Sequence, residues 1–316
     1  QFADELPRGL VAGFWMGHET GTMISSSRFA DTNWDRLRRA CVAYLQIDQP
    51  AITGSSTWRL HSTDDIQQYG VRVARDVLGR DMEIHWRRQQ KNGDSSFFGV
   101  GLPCIAGEMS FTDEEIQRTA LATLGWWHHS IENTIDKVDK DRLALHLRVY
   151  ASWMWGLLTD PVLPYEYEPV ASRFVDRLSE LAALDVPDID MVGAVDRARE
   201  FHELAARLDA ASRASRGNPD TATADRLNSA MIQLSRTLVP VASTVVGPYG
   251  QDRYGHAWQT QMIPSLVPYP RLASYPRDSE EFQTWWVSMV RARNRVADAL
   301  DRASATVRTA LDGGGW

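Results

Sequence analysis

Gly13-Phe14-Trp15-Met16-Gly17-His18-Glu19-Thr20-Gly21 is an apolar run that breaks into a glycine-flanked imidazole and carboxylate. Taken back to Leu10, the apolar part predicts a buried strand over Leu10 to Met16. Its tip would carry His18 and Glu19. Open α/β sheets place their chemistry beyond the carboxyl ends of strands, so the position matters. Unless distant residues converge on it, the pair is surface decoration.

The residues that follow keep the same grammar. Asn33 to about Arg39 predicts a helix, and Cys41 to Ile47 predicts a second strand that runs straight into Asp48. Thr63 to Leu78 predicts a helix, with Thr63 as its cap and Asp64 and Asp65 at its positive end. Weaker strands are expected at Met82 to Trp86 and Val100 to Ile105, with a polar loop at Gly93 to Ser96 between them. Short apolar runs alternating with amphipathic stretches are α/β grammar. The segment WWHHSIENTIDKVD at 126–139 sets His128 and His129 before a polar turn.

Beyond Asp139 the pattern changes to helical stripes. Leu143, Leu147, Tyr150, Met154 and Leu157 share one face, as do Phe174, Leu178 and Leu181. Further stripes run from Val195 to Leu208, from Leu227 to Leu238 and from Phe282 to Leu311. Pro- and Gly-containing breakers at 160, 185, 215 and 247–276 separate them, which predicts an antiparallel helix bundle. The expected division is therefore 1–139 and 140–316.

Bulk composition narrows the function classes. Apolar content of 43% and charged content of 24% over 316 residues are those of a globular chain. A net charge of −7 without a basic stripe disfavours a nucleic-acid partner. No apolar run approaches the ~20 residues of a membrane span. Cys41 and Cys104 are too few for a disulfide framework, and two thiols fit a reducing, cytoplasmic setting better than secretion. The opening QFADELPRGL reads like a helix end stopped by Pro7, so the chain is expected to start partway through a larger gene product.

Glu19, Asp48 and one histidine of the His128-His129 pair, on three loop tips, would be an ordinary ligand set, because zinc accepts carboxylate and imidazole together. Each also has a plain reading. A glutamate after a strand is often a solvated turn residue, an aspartate there often bonds nearby backbone, and two histidines can be polar punctuation.

The order of these pieces resembles the carboxyl-terminal part of the catalytic domain of the co-catalytic zinc aminopeptidases. That superfamily includes glutamate carboxypeptidase and the transferrin receptor. Its strand ending in Trp-x-x-Glu-Glu-x-Gly is similar to Trp15-Met16-Gly17-His18-Glu19-Thr20-Gly21, with Ser25 and Ser26 after it. Its Asn-x-Asp is matched by Gln46-Ile47-Asp48 and its Gly-Ile-Pro by Gly101-Leu102-Pro103. Its His-Thr-x-x-Asp-Thr is matched by His129-Ser130-Ile131-Glu132-Asn133-Thr134. The similarity covers roughly residues 8 to 139. More loosely, LLTDPVLPYEY and NSAMIQLSRTLVP resemble the dimerisation bundle of the transferrin-receptor branch.

The resemblance implies a three-layer αβα sheet domain followed by an all-α, dimerisation-type bundle. It implies one or two zinc ions, with Glu19 and His129 on one and Asp48 on the other. His18 stands where the family has its general-base glutamate, and an imidazole titrates near neutrality, so it could take that proton. Asn133 replaces the family's aspartate and carries no charge. The family's remaining ligands, a His-x-Asp histidine and a bridging aspartate, belong upstream of Gly13. A complementary amino-terminal chain or fragment is therefore expected as partner, alongside a homodimer through the helices. The implied activity is zinc-dependent hydrolysis of a peptide or small amide. The alternative is a non-catalytic relative serving as a recognition and dimerisation module, to which His18 and the missing ligands lend weight.

Overall fold

A computed structural model describes residues 6–21, 23–184, 186, 189–217 and 219–312, and for Glu19 the backbone alone. The helix end expected at the start of the chain falls partly on residues 1–5, outside that range, and so do parts of the breakers near 185 and 215. Within it, an α/β unit built on a mixed sheet is followed by a helical region.

Among the described residues the sheet has four strands in the order β1-β4-β2-β3. These are β1 (Tyr44–Gln46), β2 (Thr57–Ser62), β3 (Ile84–Arg88) and β4 (Cys104–Ser110). β1 runs parallel to β4, with Leu45 opposite Ile105, and β2 runs parallel to β3, with Leu60 opposite Trp86. β2 is antiparallel to β4, with Leu60 opposite Gly107. Strand period two sorts the side chains. Trp58, Leu60, Ile105 and Met109 are buried in one core cluster with Tyr69, Ala74, Val149 and Trp153. Arg59, His61 and Glu108 alternate with them on the polar face, where His61 Nε2 lies 3.6 Å from Glu108 Oε1. Gly107 has to be glycine, since a Cβ there would run into the Trp58 ring and stand 2.7 Å from Trp153.

Helices α1 (Ile24–Thr32) and α2 (Trp34–Ala40) precede the sheet, α3 (Gln67–Leu78) joins β2 to β3, and α4 (Asp113–Arg118) follows β4. A capping box opens α4: the Thr112 hydroxyl accepts from Glu115 N–H, and Glu115 reaches back to Thr112 N–H. The helical region holds α5 (Lys140–Thr159), α6 (Glu168–Ala182), α7 (Met191–Ser215), α8 (Thr221–Ser243) and α9 (Glu280–Asp312). Asp139, Asp190 and Asp220 cap α5, α7 and α8 through their carboxylates. α6 lies along α7, and α7 and α8 pack on α9. One buried cluster runs from Trp58 and Ile105 through Trp153 to Phe174, Phe201, Leu234 and Val296, so sheet and helices share a continuous core. Helix α5 is tied to the sheet directly. The Tyr150 hydroxyl donates to the Gln46 carbonyl and accepts from Gly107 N–H at 2.8 Å.

Two expectations need correction, and one strand went unread. Leu10 to Met16 is not a buried strand: it runs without regular structure, and Leu10, Val11, Phe14 and Met16 are 63–93% exposed. An apolar run makes a strand only where another backbone pairs with it, and among the described residues none does. Its Trp15 alone packs, 5.3 Å from the Phe29 ring. Thr57–Ser62, to which no element was assigned, is β2; Arg59 and His61, alternating with apolar residues, hid a buried strand. Finally, α3 begins at Gln67 and not Thr63, because Asp64 and Asp65 are buried and committed elsewhere. Asp64 holds Arg88 at 2.8 Å and also Arg173, while Asp65 accepts from Thr63 and from Ser235 at 2.7 Å.

Candidate active site

Gly17 (φ 85°) and Gly21 (φ 74°) bracket a short 3-10 turn, His18–Thr20. Both lie in the left-handed region that glycine enters without penalty, and together they set His18 on a compact knuckle. Two residues past β1, Asp48 stands half-exposed. The third contribution comes from the loop after β3. There Gln89 Nε2 donates to Gln46 Oε1 (2.9 Å) and to Ser95 Oγ (2.7 Å), and Ser95 Oγ donates to Gln46 Oε1 (2.7 Å). This buried polar knot fixes the loop against the end of β1. Gly93 (φ 46°) lets it close, because a Cβ there would collide with the Gln46 amide and come 3.4 Å from Asp48 Oδ2. Asp94 follows, buried and also left-handed at φ 65°.

These pieces meet at His18. Its Nδ1 is 2.9 Å from Asp94 Oδ2, and its Nε2 is 3.8 Å from Asp48 Oδ2. The histidine turn is close by: Gln49, adjacent to Asp48, reaches His128 Nδ1 at 3.3 Å, and the His128 and His129 rings stack at 3.8 Å. His129 has φ 61°, so the turn that carries it is held in a conformation that L residues seldom adopt. The structure thus gathers His18, Asp48 and the 128–129 turn at one rim. The Glu19 side chain lies outside the described residues. Asp94 escaped the sequence reading, which gave it only to a polar loop; its signal was a Gly-Asp pair after a strand.

Among the described residues, no group of three His, Cys, Asp or Glu side chains is placed to hold a metal ion. What the described residues do bring together at the rim is one imidazole between two carboxylates. An imidazole nitrogen and a carboxylate oxygen face each other across 3.8 Å, and a second carboxylate holds the far side of the ring.

A cleft of about 580 Å³ opens beside Gly21, between α1 and the loop after α8. Arg28, Asp31, Lys91, Arg253 and Tyr254 line it. Lys91 is buried, its ammonium 2.7 Å from Gln251 Oε1, and burial lowers its pKa while Asp252 and Asp31 partly offset that. The cleft walls therefore carry three cationic side chains against Asp31 and Asp252. Behind the rim, burial pushes the Tyr44 phenol far above its ordinary range, so it stays protonated.

No family model matches the chain. Over 200 residues it is 26% identical to a Zea mays protein named probable glutamate carboxypeptidase VP8, a match covering 56% of this chain and 26% of the maize protein. The chain thus spans about a quarter of that relative's length. The likeness is distant, and it is to a peptidase-like hydrolase. Among the described residues, no helix is long and apolar enough to cross a membrane.

Proposed function

We propose that this chain forms part of a metal-dependent hydrolase of peptide or amide bonds. The observation that carries the proposal is His18 held between Asp94 and Asp48 past the end of β1. The distant likeness to the maize carboxypeptidase supports the same class.

In this reading Glu19 and His129 hold one zinc and Asp48 a second, and a complementary amino-terminal chain or segment closes the set. When bound, such an ion acidifies water and polarises a carbonyl. His18 takes a proton from the attacking water at Nε2 as the water oxygen bonds the carbonyl carbon. It returns that proton to the amine as the carbon–nitrogen bond breaks. Lys91, Arg28 and Arg253 hold a carboxylate of the substrate in the cleft. Residues 1–139 would form the catalytic portion, and the helices beyond would pair two copies about a two-fold axis.

A non-catalytic recognition and dimerisation module is the second reading. It is favoured by the lack of a closed ligand set among the described residues. Zinc analysis of the assembled protein, with hydrolysis of a panel of amino-acid and peptide amides, separates the two. Near two zinc per complex, with activity abolished in Glu19→Ala and Asp48→Ala, is the expected result. Neither metal nor hydrolysis would establish the module.

A further inference from the structure

Asp94 is built into the rim at a cost that its loop does not explain. The residue is 4% exposed, and its backbone sits at φ 65°. A left-handed conformation at a residue other than glycine is uncommon and carries a cost, smaller for aspartate than for most side chains. Oδ1 is buried with no hydrogen-bond partner among the described residues. Leaving a buried acceptor unmet is a second cost. A turn-forming aspartate would spend its oxygens on neighbouring backbone N–H groups. Here Ser96 N–H goes instead to the Asp94 backbone carbonyl at 2.9 Å, and Oδ2 goes to a ring 76 residues away, His18 Nδ1 at 2.9 Å.

We infer that Asp94 is a positioning residue for His18: it accepts the Nδ1–H hydrogen bond, fixes the ring in that tautomer and turns Nε2 toward Asp48. The logic is that of a base oriented by a third group. An imidazole with its proton on Nδ1 has its lone pair on Nε2, the atom 3.8 Å from Asp48 Oδ2. The opposite tautomer would present an N–H there, and no proton could be taken. The Gln46–Gln89–Ser95 knot and Gly93 hold the loop that carries Asp94, so the orientation is set by folding and not by substrate. The catalytic consequence rests on the hydrolase reading; the tautomer does not.

The test combines two readouts. Long-range proton–nitrogen spectra of protein labelled with ¹⁵N-histidine report the tautomer of the neutral ring, with His18 assigned by its disappearance in His18→Gln. The native chain should show His18 protonated on Nδ1. Asp94→Ala should release it to the Nε2–H form that an unrestrained imidazole favours. In the assembled hydrolase the same substitution should lower kcat by at least about 100-fold, the low end of what a positioned base contributes, with KM changed by less than about threefold. Asp94→Asn keeps the volume, should weaken the same preference and carries the test if the alanine variant fails to fold. An Nε2–H tautomer in the native chain, or an unchanged one in both variants, overturns the inference. The expected tautomers without hydrolysis by any form would uphold the positioning and sink the hydrolase reading.

Discussion

His146 shows what one buried side chain does to acid tolerance. It is 2% exposed, stacked 4.7 Å from the Tyr150 ring and 5.2 Å from Trp58, and among the described residues neither ring nitrogen has a hydrogen-bond partner. Burial lowers its pKa to about 4, and the attraction of Glu108 only partly offsets that. The folded-state value lies below the unfolded one, so as pH falls the unfolded chain takes up the proton first. His146 therefore costs nothing above about pH 6.5 and draws stability away progressively down to about pH 4, about 3 kcal/mol in all. Urea unfolding at pH 7 and pH 5 should differ by about 2 kcal/mol from this residue. His146→Phe, which keeps the ring stack and cannot charge, should remove that difference. An equal loss in both proteins would show that the acid sensitivity lies elsewhere.

At the scale of elements, the start of α6 depends on a side chain from α7. Asp209, buried, accepts from Tyr167 N–H at 3.0 and 2.9 Å and from Glu168 N–H at 2.8 Å. These are donors that a helix leaves unmet at its first turn, and the carboxylate also meets the positive end of the helix. Asp209→Ala should cost about 2 kcal/mol in chemical denaturation, with Asp209→Asn intermediate. Elements were also where the sequence was most and least legible. The long helices were readable because their apolar stripes repeat over many turns: Phe282, Met289, Val296, Leu300, Val307 and Leu311 all face inward on α9. Strands were read less well, since pairing decides them: β1 falls inside Cys41 to Ile47, and β3 and β4 only overlap the runs expected for them. Leu10 to Met16 had the composition of a strand and has no pairing partner among the described residues, whereas β2 had charged alternate residues and gained neighbours on both sides. His18, Asp48 and His129 were legible at the site because each follows or precedes a recognisable motif. Asp94 was not, because its role comes from a contact across 76 residues.

Across the whole molecule, the sheet region and the helices are joined by polar clasps as well as by the shared core. The buried Arg236 guanidinium on α8 donates to the carbonyls of Arg38 (2.7 Å), Gly101 (2.6 Å), Leu37 (3.3 Å) and Cys41. Three of these carbonyls terminate α2, where a cation suits the negative end of the helix. Arg38 returns a bond to the Arg236 carbonyl at 3.3 Å. Lysine cannot reproduce a planar fork that serves several acceptors at once. Arg236→Lys should therefore cost about 2 kcal/mol while leaving unfolding a single transition. Two separated transitions in that variant would instead mean that the two regions unfold independently once the clasp is weakened.

The Tyr150 hydroxyl has a mechanical consequence. It grips the last carbonyl of β1, two residues before Asp48, and it sits on the first long helix of the second region. A twist or slide of that helix reaches the end of β1, and so the rim around Asp48, through this hydroxyl. Events far away on the helical surface thus have a short lever onto the candidate site.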